Sequence, residues 1–480
     1  MHPTTAPTRS YAPGGYRELL HVAWPMILST ASYTVMHFSA RLMLARYSGT
    51  TAAASTCAGA TAFSFLSLFQ GIAGYTNTFI AQYHGSGNKE MCTRSLWQGI
   101  YFALLAGLLF PLVCRPLGHL WLAAIGHEPD ILAAEQVYFG VVAWGAIFPL
   151  LSVALASFFS GRGDTWTVMW VSATAALVNI IFNYAMIFGA WGFPEWGIYG
   201  AALATNIGAA TGMLIYLALL SRRRWRIEYG MWRLSAFRRA TFMRLIRFGG
   251  PSGLSFALDI MAFTMFVLFI GRVGRTELIA SNITLAINSL AFMPMLGFSI
   301  ATNIMVGQHI GEKRIATAER SAYSGVKLAM LYMTLMGIVF VAAPDMLLRL
   351  FQGGRIPPAL FEQVMRHGRM FLMMLAAMGV LDALNTVFSG ALKGAGDTLF
   401  CMWSNVVIAW GIFVPPLYLM VSVWHVRASY AYAWMVVYVA LLALVYTWRF
   451  QRGAWKTIEI KERVPAAPLL PEAALDTPVA

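Results

Sequence analysis

The sequence predicts an all-α membrane protein, with twelve transmembrane helices in two pseudo-symmetric six-helix bundles around a central cavity. Three observations lead there. Of the 480 residues, 59% are hydrophobic and 11% charged, against roughly 45–50% and about 25% in soluble domains. Stretches of the ~20 apolar residues that cross a bilayer recur along the chain, parted by short polar breaks. The two halves of the chain also repeat each other.

The spans fall at roughly 20–40, 55–80, 96–118, 136–158, 166–189 and 197–220, then 248–270, 278–304, 325–347, 370–392, 400–421 and 429–450. They divide the chain into an N-terminal segment 1–19, a first lobe 20–220, a basic linker 221–247, a second lobe 248–450 and a tail 451–480. Residues 1–19 are polar and proline-bearing, which does not read as a signal peptide. The stretch after Arg463 (PAAPLLPEAALDTPVA) has the composition of a disordered tail.

The formal net charge is +14, and its placement excludes a nucleic-acid reading. Nine arginines (Arg222, Arg223, Arg224, Arg226, Arg233, Arg238, Arg239, Arg244 and Arg247) fall in the linker. Such a cluster between apolar spans marks a cytoplasmic loop and can meet anionic lipid headgroups. An even number of spans on each side puts both termini in the cytoplasm with it. Arg449, Arg452, Lys456 and Lys461 agree; Arg41, Arg46, Arg272, Arg275, Arg349, Arg355, Arg366 and Arg369 fall toward the outer side, against the trend. Cys57, Cys92, Cys114 and Cys401 lack CxxC spacing and imply no disulfide framework.

The repeat is visible at an offset of 226, where Pro25 falls on Pro251, Arg46 on Arg272, Gln82 on Gln308, Gly85 on Gly311, Arg94 on Arg320 and Ser95 on Ser321. Farther on, Gly163-Asp164-Thr165 falls on Gly396-Asp397-Thr398 at an offset of 233; the seven extra residues are assigned to a loop near 352–359. Six spans followed by six in the same direction form a parallel repeat, with its pseudo-axis along the membrane normal. This is transporter architecture.

Two carboxylates stand away from loops and span ends. Asp259 is 12 residues past Arg247 and 13 before Arg272; Asp382 is 13 past Arg369 and 11 before Lys393. A charge at the centre of a bilayer helix costs about 2.5–3.5 kcal/mol on insertion scales, and such residues mark functional sites by default. Burial favours the neutral acid and a bound cation favours the carboxylate. A group pulled both ways can exchange a proton or a metal ion such as Na⁺, and two facing one cavity titrate as a pair. The structural alternative is a pair of buried hydrogen-bonding acids. Asn385 lies three residues past Asp382, a spacing that permits contact. In the GDT turns, glycine permits a tight reversal, and Asp164 and Asp397 are expected to cap the next helix or to pair with Arg162 and Lys393. Pro25, Pro149 and Pro294 sit in or near span interiors as candidate hinges.

In AQYHGSGNKE and VGQHIGEKR, in FSGRGDT and SGALKGAGDT, and in NIIFNYAMIFGAWGFPEWGIYGAALAT, the chain resembles the multidrug and toxic compound extrusion (MATE) family, in its NorM-like branch. The resemblance covers about residues 18–450. It implies two six-helix lobes, a central cavity, and export of organic compounds, cationic or amphipathic in character, in exchange for Na⁺ or H⁺, by a protein that needs no other cofactor and works as a monomer; the excess of arginine over lysine (28 against 6) points to a GC-rich bacterial genome and so to a bacterial inner membrane. By the same resemblance Asp259 and Asp382 occupy the cation-site positions of the second lobe, with Asn282 near an amide of that site. The first lobe departs from the pattern. Ala40 stands where relatives carry an aspartate, and Asn183, after Asn179, stands at the fifth-span acidic position. An amide cannot titrate at useful pH, so ion coupling is expected to rest on the second lobe, with Asn179, Asn183 and Arg41 as polar candidates for the first-lobe cavity. Arg41 reads either as a cationic cavity wall favouring anionic or zwitterionic substrates, or as a side chain snorkelling to the interface.

The 27 methionines and 66 aromatic residues suit a promiscuous apolar pocket, and equally lipid-facing surface. A lipid-linked saccharide flippase on the same fold is the second reading, kept open by Arg41. An enzyme is not expected: the nine histidines are scattered without an HExxH, and no GxxxxGK[ST] loop occurs.

Overall fold

The computed structural model describes residues 12–232, 236–351 and 358–460. Arg233 and Arg355, the loop at 352–357 assigned the extra residues of the second repeat, and the tail from 461 lie outside the described residues. Among the described residues there are twelve candidate spans, counting the bent α4 as one: α1 (Tyr16–Tyr47), α2 (Gly49–Gly85), α3 (Lys89–Ile125), α4 (Pro129–Gly161), α5 (Thr165–Phe188), α6 (Gly197–Leu220), α7 (Arg239–Val273), α8 (Arg275–Gly311), α9 (Ile315–Ala342), α10 (Pro358–Ala395), α11 (Thr398–Val423) and α12 (Ala428–Gln451). Each is long and apolar enough to cross a bilayer, α4 as one bent span. The helices run farther than the apolar text alone: α7 begins at Arg239 and takes in the last nine residues of the basic linker.

The turns show how local chemistry sets these lengths. Asn88 caps α3, accepting from Met91 N at 3.0 Å. Asp164 caps α5 through Thr167 N and Oγ1 at 3.4 and 2.9 Å. Gly163 and Gly396 take φ of +83° and +101°, as their turns require. Asp397 departs from expectation: it makes no side-chain cap and binds Arg449 Nε at 2.8 Å rather than Lys393. Arg162 departs as well, lying 4.0 Å from the Trp225 ring instead of pairing with Asp164. In both cases an aromatic or ionic partner distant in sequence outcompetes the near one.

The α4 span breaks between Trp144 and Ile147 with a 44° bend. At the break Gly145 N still donates to Val141 O at 3.2 Å, and Asn206 Nδ2 of α6 adds a second bond to the same carbonyl at 2.7 Å, tying the last turn before the bend to α6. An added Cβ at Gly145 would collide with that Asn206 side chain, so the bend, the glycine and the amide form one unit.

Helices α1–α6 and α7–α12 form two lobes. The first has one core, which also takes in Leu245 from the start of α7 and Ile460 beyond α12; the second has two, one toward the linker end of the molecule and one beyond it. The boundary is not clean at α1, whose Leu19, Val22 and Ala23 are buried in the second lobe's core. The linker straps the first lobe. Thr93 Oγ1 and Trp97 Nε1 of α3 donate to Tyr229 O and Met231 O at 2.8 and 2.7 Å, and Lys89 meets Glu228 at 2.9 Å. The Lys89 ammonium holds the Glu228 carboxyl below its usual range.

The lobes meet along their linker-side halves, with the repeat expressed twice. Gln82 Nε2 of α2 donates to Gly394 O of α10 at 3.0 Å, and Gln308 Nε2 of α8 donates to Gly161 O of α4 at 2.9 Å. Beside them Gly85 and Gly311 cross so closely that a Cβ on either would fall on the carbonyl oxygen of Gln308 or Gln82. Thr78 Oγ1 donates to Asn303 Oδ1 and Tyr75 Oη to Lys393 O, each at 3.1 Å. Higher up, Thr30 reaches Met293 O at 3.2 Å, and Phe63 meets Phe256 edge-on near mid-span. Among the described residues no cross-lobe hydrogen bond or ring contact lies farther from the linker, so the lobes are sealed at the linker end.

Gly85→Ala and Gly311→Ala should each weaken this seal by the roughly 1–3 kcal/mol of an overpacked contact, about 5- to 150-fold in the closed population. Labelling by a water-soluble maleimide of a cysteine placed at Asn303, in a background free of other cysteines, should rise accordingly. Unchanged labelling would show that the crossing does not control access.

Candidate functional site

The two intramembrane aspartates come together within the second lobe, on α7 and α10. Asp382 is 9% exposed. Its Oδ1 accepts from Asn385 Nδ2 at 3.0 Å and from Thr386 Oγ1 at 3.3 Å, one helical turn on. Asp259 is partly exposed and accepts from Tyr438 Oη of α12 at 3.4 Å. The two carboxylates lie within electrostatic reach of each other, and Tyr438 is within reach of both. Asn405 of α11 is beside Asp259; its Nδ2 donates to Ser255 O at 3.0 Å, one turn before the aspartate, and its buried Oδ1 has no partner. Lys393, near the end of α10, acts on Asp259 electrostatically.

Four helices thus supply oxygen and amide groups to one region. Carboxylate, hydroxyl and amide oxygens are the ligands that hard cations take, and the same carboxylates can hold a proton. Tyr438 is fixed by stacking on Phe413, with ring centroids 4.4 Å apart.

Thr386, Tyr438 and Asn405 were not picked out from the sequence. Thr386 was within reach, since i+4 from an intramembrane acid is a contact position; Tyr438 and Asn405 join only through tertiary packing. Asn282 is exposed on α8, and no hydrogen bond brings it to either aspartate. On the same helix Asn288 is the buried amide, 9% exposed, with Oδ1 unpartnered.

The first-lobe residues divide. Asn179 and Asn183 are 1% and 0% exposed. Asn183 Nδ2 donates to Asn179 Oδ1 at 2.7 Å, and Asn179 Nδ2 donates to Ala204 O of α6 at 3.0 Å. They fasten α5 to α6 rather than offering an open polar surface. Arg41 is exposed, six residues from the end of α1, and acts electrostatically on Tyr33, His37 and Tyr138. Tyr33 and His37 meet edge-on at 4.3 Å, so a cation, an imidazole and phenols share one region.

A family model described as MatE matches residues 25–185 and 251–419, one block in each lobe. The chain belongs to the MatE family. Among similar proteins, a probable multidrug resistance protein NorM of Rhizobium meliloti is 27% identical over 474 residues, covering 95% of this chain and 96% of the relative. One of the same name from Pseudomonas syringae pv. tomato is 29% identical over 467 residues, covering 95% and 99%. Among solved structures, an outward-facing multidrug resistance MATE family transporter superposes with a TM-score of 0.83 at 18% identity, covering 92% of this chain and 97% of that one. A MOP superfamily transporter from Pyrococcus furiosus, described as having a binding pocket of reverse polarity, gives a TM-score of 0.82 at 17% identity with the same coverage. The chain is therefore a multi-pass bacterial membrane transporter and not an enzyme, on the fold expected from its sequence.

Asn385 and Thr386 donate to one oxygen, so either alone leaves Asp382 Oδ1 satisfied. Asn385→Ala and Thr386→Val should each cost little thermal stability in detergent. The double variant should cost more than their sum, by about 0.5–3 kcal/mol. Strict additivity would show that the two donors do not share that acceptor.

Proposed function

We propose that this protein is a secondary active antiporter that exports organic compounds, cationic or amphipathic in character, in exchange for Na⁺ or H⁺. The observation that carries the proposal is the pairing of Asp259 and Asp382 inside the second lobe. Two acids within reach of each other, with hydroxyl and amide groups around them and Lys393 near Asp259, can hold a cation and exchange it for a proton. The names of the NorM relatives support the substrate class. The termini and the basic linker lie on the cytoplasmic side of an inner membrane by the arginine bias. On that orientation the sealed end faces the cytoplasm. A unit charge moving through 100 mV supplies about 2.3 kcal/mol, enough for roughly a fiftyfold substrate gradient at 1.4 kcal/mol per decade. The protein acts as a monomer among membrane lipids.

Coupling would run along α10. Asp382 binds Thr386, and the backbone carbonyl of Thr386 accepts from Ser299 Oγ of α8 at 2.7 Å. One turn on, Gly390 O accepts from Asn303, which holds Thr78 of the other lobe; after it come Lys393 O and Gly394 O, bound by Tyr75 and Gln82. A change of charge at Asp382 therefore acts on a helix whose far turns form the seal.

A second reading rests on Arg41. With its exposed cation, the Arg41, His37 and Tyr33 region would favour anionic or zwitterionic substrates, including lipid-linked saccharides. The pocket polarity described for the Pyrococcus protein is a precedent on the same fold.

In proteoliposomes with imposed Na⁺ or proton gradients, export of a fluorescent organic cation should follow one of the two. It should be lost in Asp259→Asn with Asp382→Asn while substrate binding persists; gradient-driven export in that variant would sink coupling through these acids. Arg41→Ala should leave cation export within about twofold on the first reading. Failure of the wild type to move any cation, with an anion moved in an Arg41-dependent way, would establish the second.

A further inference from the structure

At the end of the first lobe away from the linker, three side chains from separate places in the sequence converge. Cys57 lies in the third turn of α2, His127 in the link between α3 and α4, and Glu135 in the second turn of α4. One ligand atom from each lies within 4.8 Å of the others. His127 Nδ1 is 2.7 Å from Glu135 Oε1. Glu135 is 0% exposed, and its Oε2 has no hydrogen-bond partner.

Neither the proposed ion site nor the seal accounts for this group. A buried carboxylate oxygen without a partner is costly, and the Cys57 thiol beside it is at best a weak donor. The fold also holds the three in place. Gly126, at φ +80°, ends α3, and Pro129 opens α4, so the link carrying His127 is short and stiff. Phe139, one turn past Glu135, packs edge-on against Phe65 of α2 with centroids 6.3 Å apart, which fixes α4 against the helix that bears Cys57.

We propose that Cys57, His127 and Glu135 form a binding site for a thiophilic divalent cation, Zn²⁺ by its ligand preferences. Thiolate, imidazole and carboxylate are the three zinc ligand types, and three of them leave a fourth tetrahedral position open, as zinc sites with exchangeable water have. Mg²⁺ and Ca²⁺ are disfavoured because they call for six or more oxygens, whereas a thiolate selects softer ions. Thiolate and carboxylate together neutralise the ion, which suits the edge of an apolar lobe. The exposed His127 is the entry side and the buried Glu135 the floor. The bound ion pins α2 to the part of α4 outside its 44° bend. It lies wholly within the first lobe, so it does not bridge the two moving parts.

The test uses the full chain in detergent, stripped with chelator, with any affinity tag removed, and Cd²⁺ as probe. The wild type should develop a thiolate-to-cadmium charge-transfer band that saturates at one equivalent and is reversed by Zn²⁺ but not by Mg²⁺. Cys57→Ser should abolish the band. His127→Ala and Glu135→Gln should weaken Cd²⁺ binding by at least the ~10–100-fold lost when outer-shell partners of a metal are removed. No band in folded wild type, or a band that survives Cys57→Ser, overturns the site. Should a variant fail to fold, the wild type alone decides: Zn²⁺ must protect Cys57 from alkylation, read by peptide mass, and unchanged alkylation overturns the proposal.

Discussion

The structure depends on a contact that only glycine permits. Where α2 and α8 cross at the linker end, Gly85 and Gly311 bring the two backbones together, and Gln82 and Gln308 reach past them to glycine carbonyls of the opposite lobe. Side-chain hydrogen bonds between membrane helices average about 0.6 kcal/mol. The cross-lobe bonds of Tyr75, Thr78, Gln82 and Gln308 therefore sum to roughly 2–3 kcal/mol, on the scale of one charge moved through 100 mV. A seal much stronger than this could not be opened by a single coupling ion. Apolar packing at the same crossing would give a stronger and less reversible closure, which explains why amides and glycines stand here rather than leucines.

That scale also explains the part given to α10. Its carbonyls at Gly390, Lys393 and Gly394 accept bonds that hold the seal, directly or through Asn303, while Asp382 lies earlier on the same helix. The twelve residues between Asp382 and Gly394 span about 18 Å at 1.5 Å per residue. A rigid helix carries a displacement over that distance with little loss, so no separate relay is needed between charge site and seal.

Much of this was legible in the sequence because its signals are local or periodic. Span count follows from runs of apolar residues, the pseudo-symmetry from a constant offset that placed Gln82 on Gln308 and Gly85 on Gly311, and the Asp382–Asn385 contact from helical spacing. The repeat even shows in backbone geometry: Gly87 has φ +73° and its counterpart Lys313 has φ +62°, so the second half keeps the reversal without the glycine. What was not legible depends on partners distant in the chain. Asp397 takes Arg449, 52 residues away, over nearby Lys393. Arg162 stacks on Trp225, since a planar cation gains more on an aromatic wall than at an aspartate already engaged in capping. No sequence spacing links Cys57 to His127 and Glu135; only the packing of α2 on α4 does.

The two lobes share a scaffold and differ in chemistry. In the first, Asn179 and Asn183 spend their amide donors on each other and on Ala204, closing α5 against α6, and Arg41 stands as an exposed cation near the end of α1. In the second, two carboxylates stand among donors from three helices, α10, α11 and α12. A pseudo-symmetric transporter with equal acid sites in both lobes would respond to a cation on either side of its cleft. With Asp259 and Asp382 both in the second lobe, the proposed response to a coupling cation is centred there, and the first lobe would move as a rigid body against it. On the proposed coupling, the asymmetry leaves the first lobe's inner surface free to diverge, because opening the seal would call for no coupling ion there.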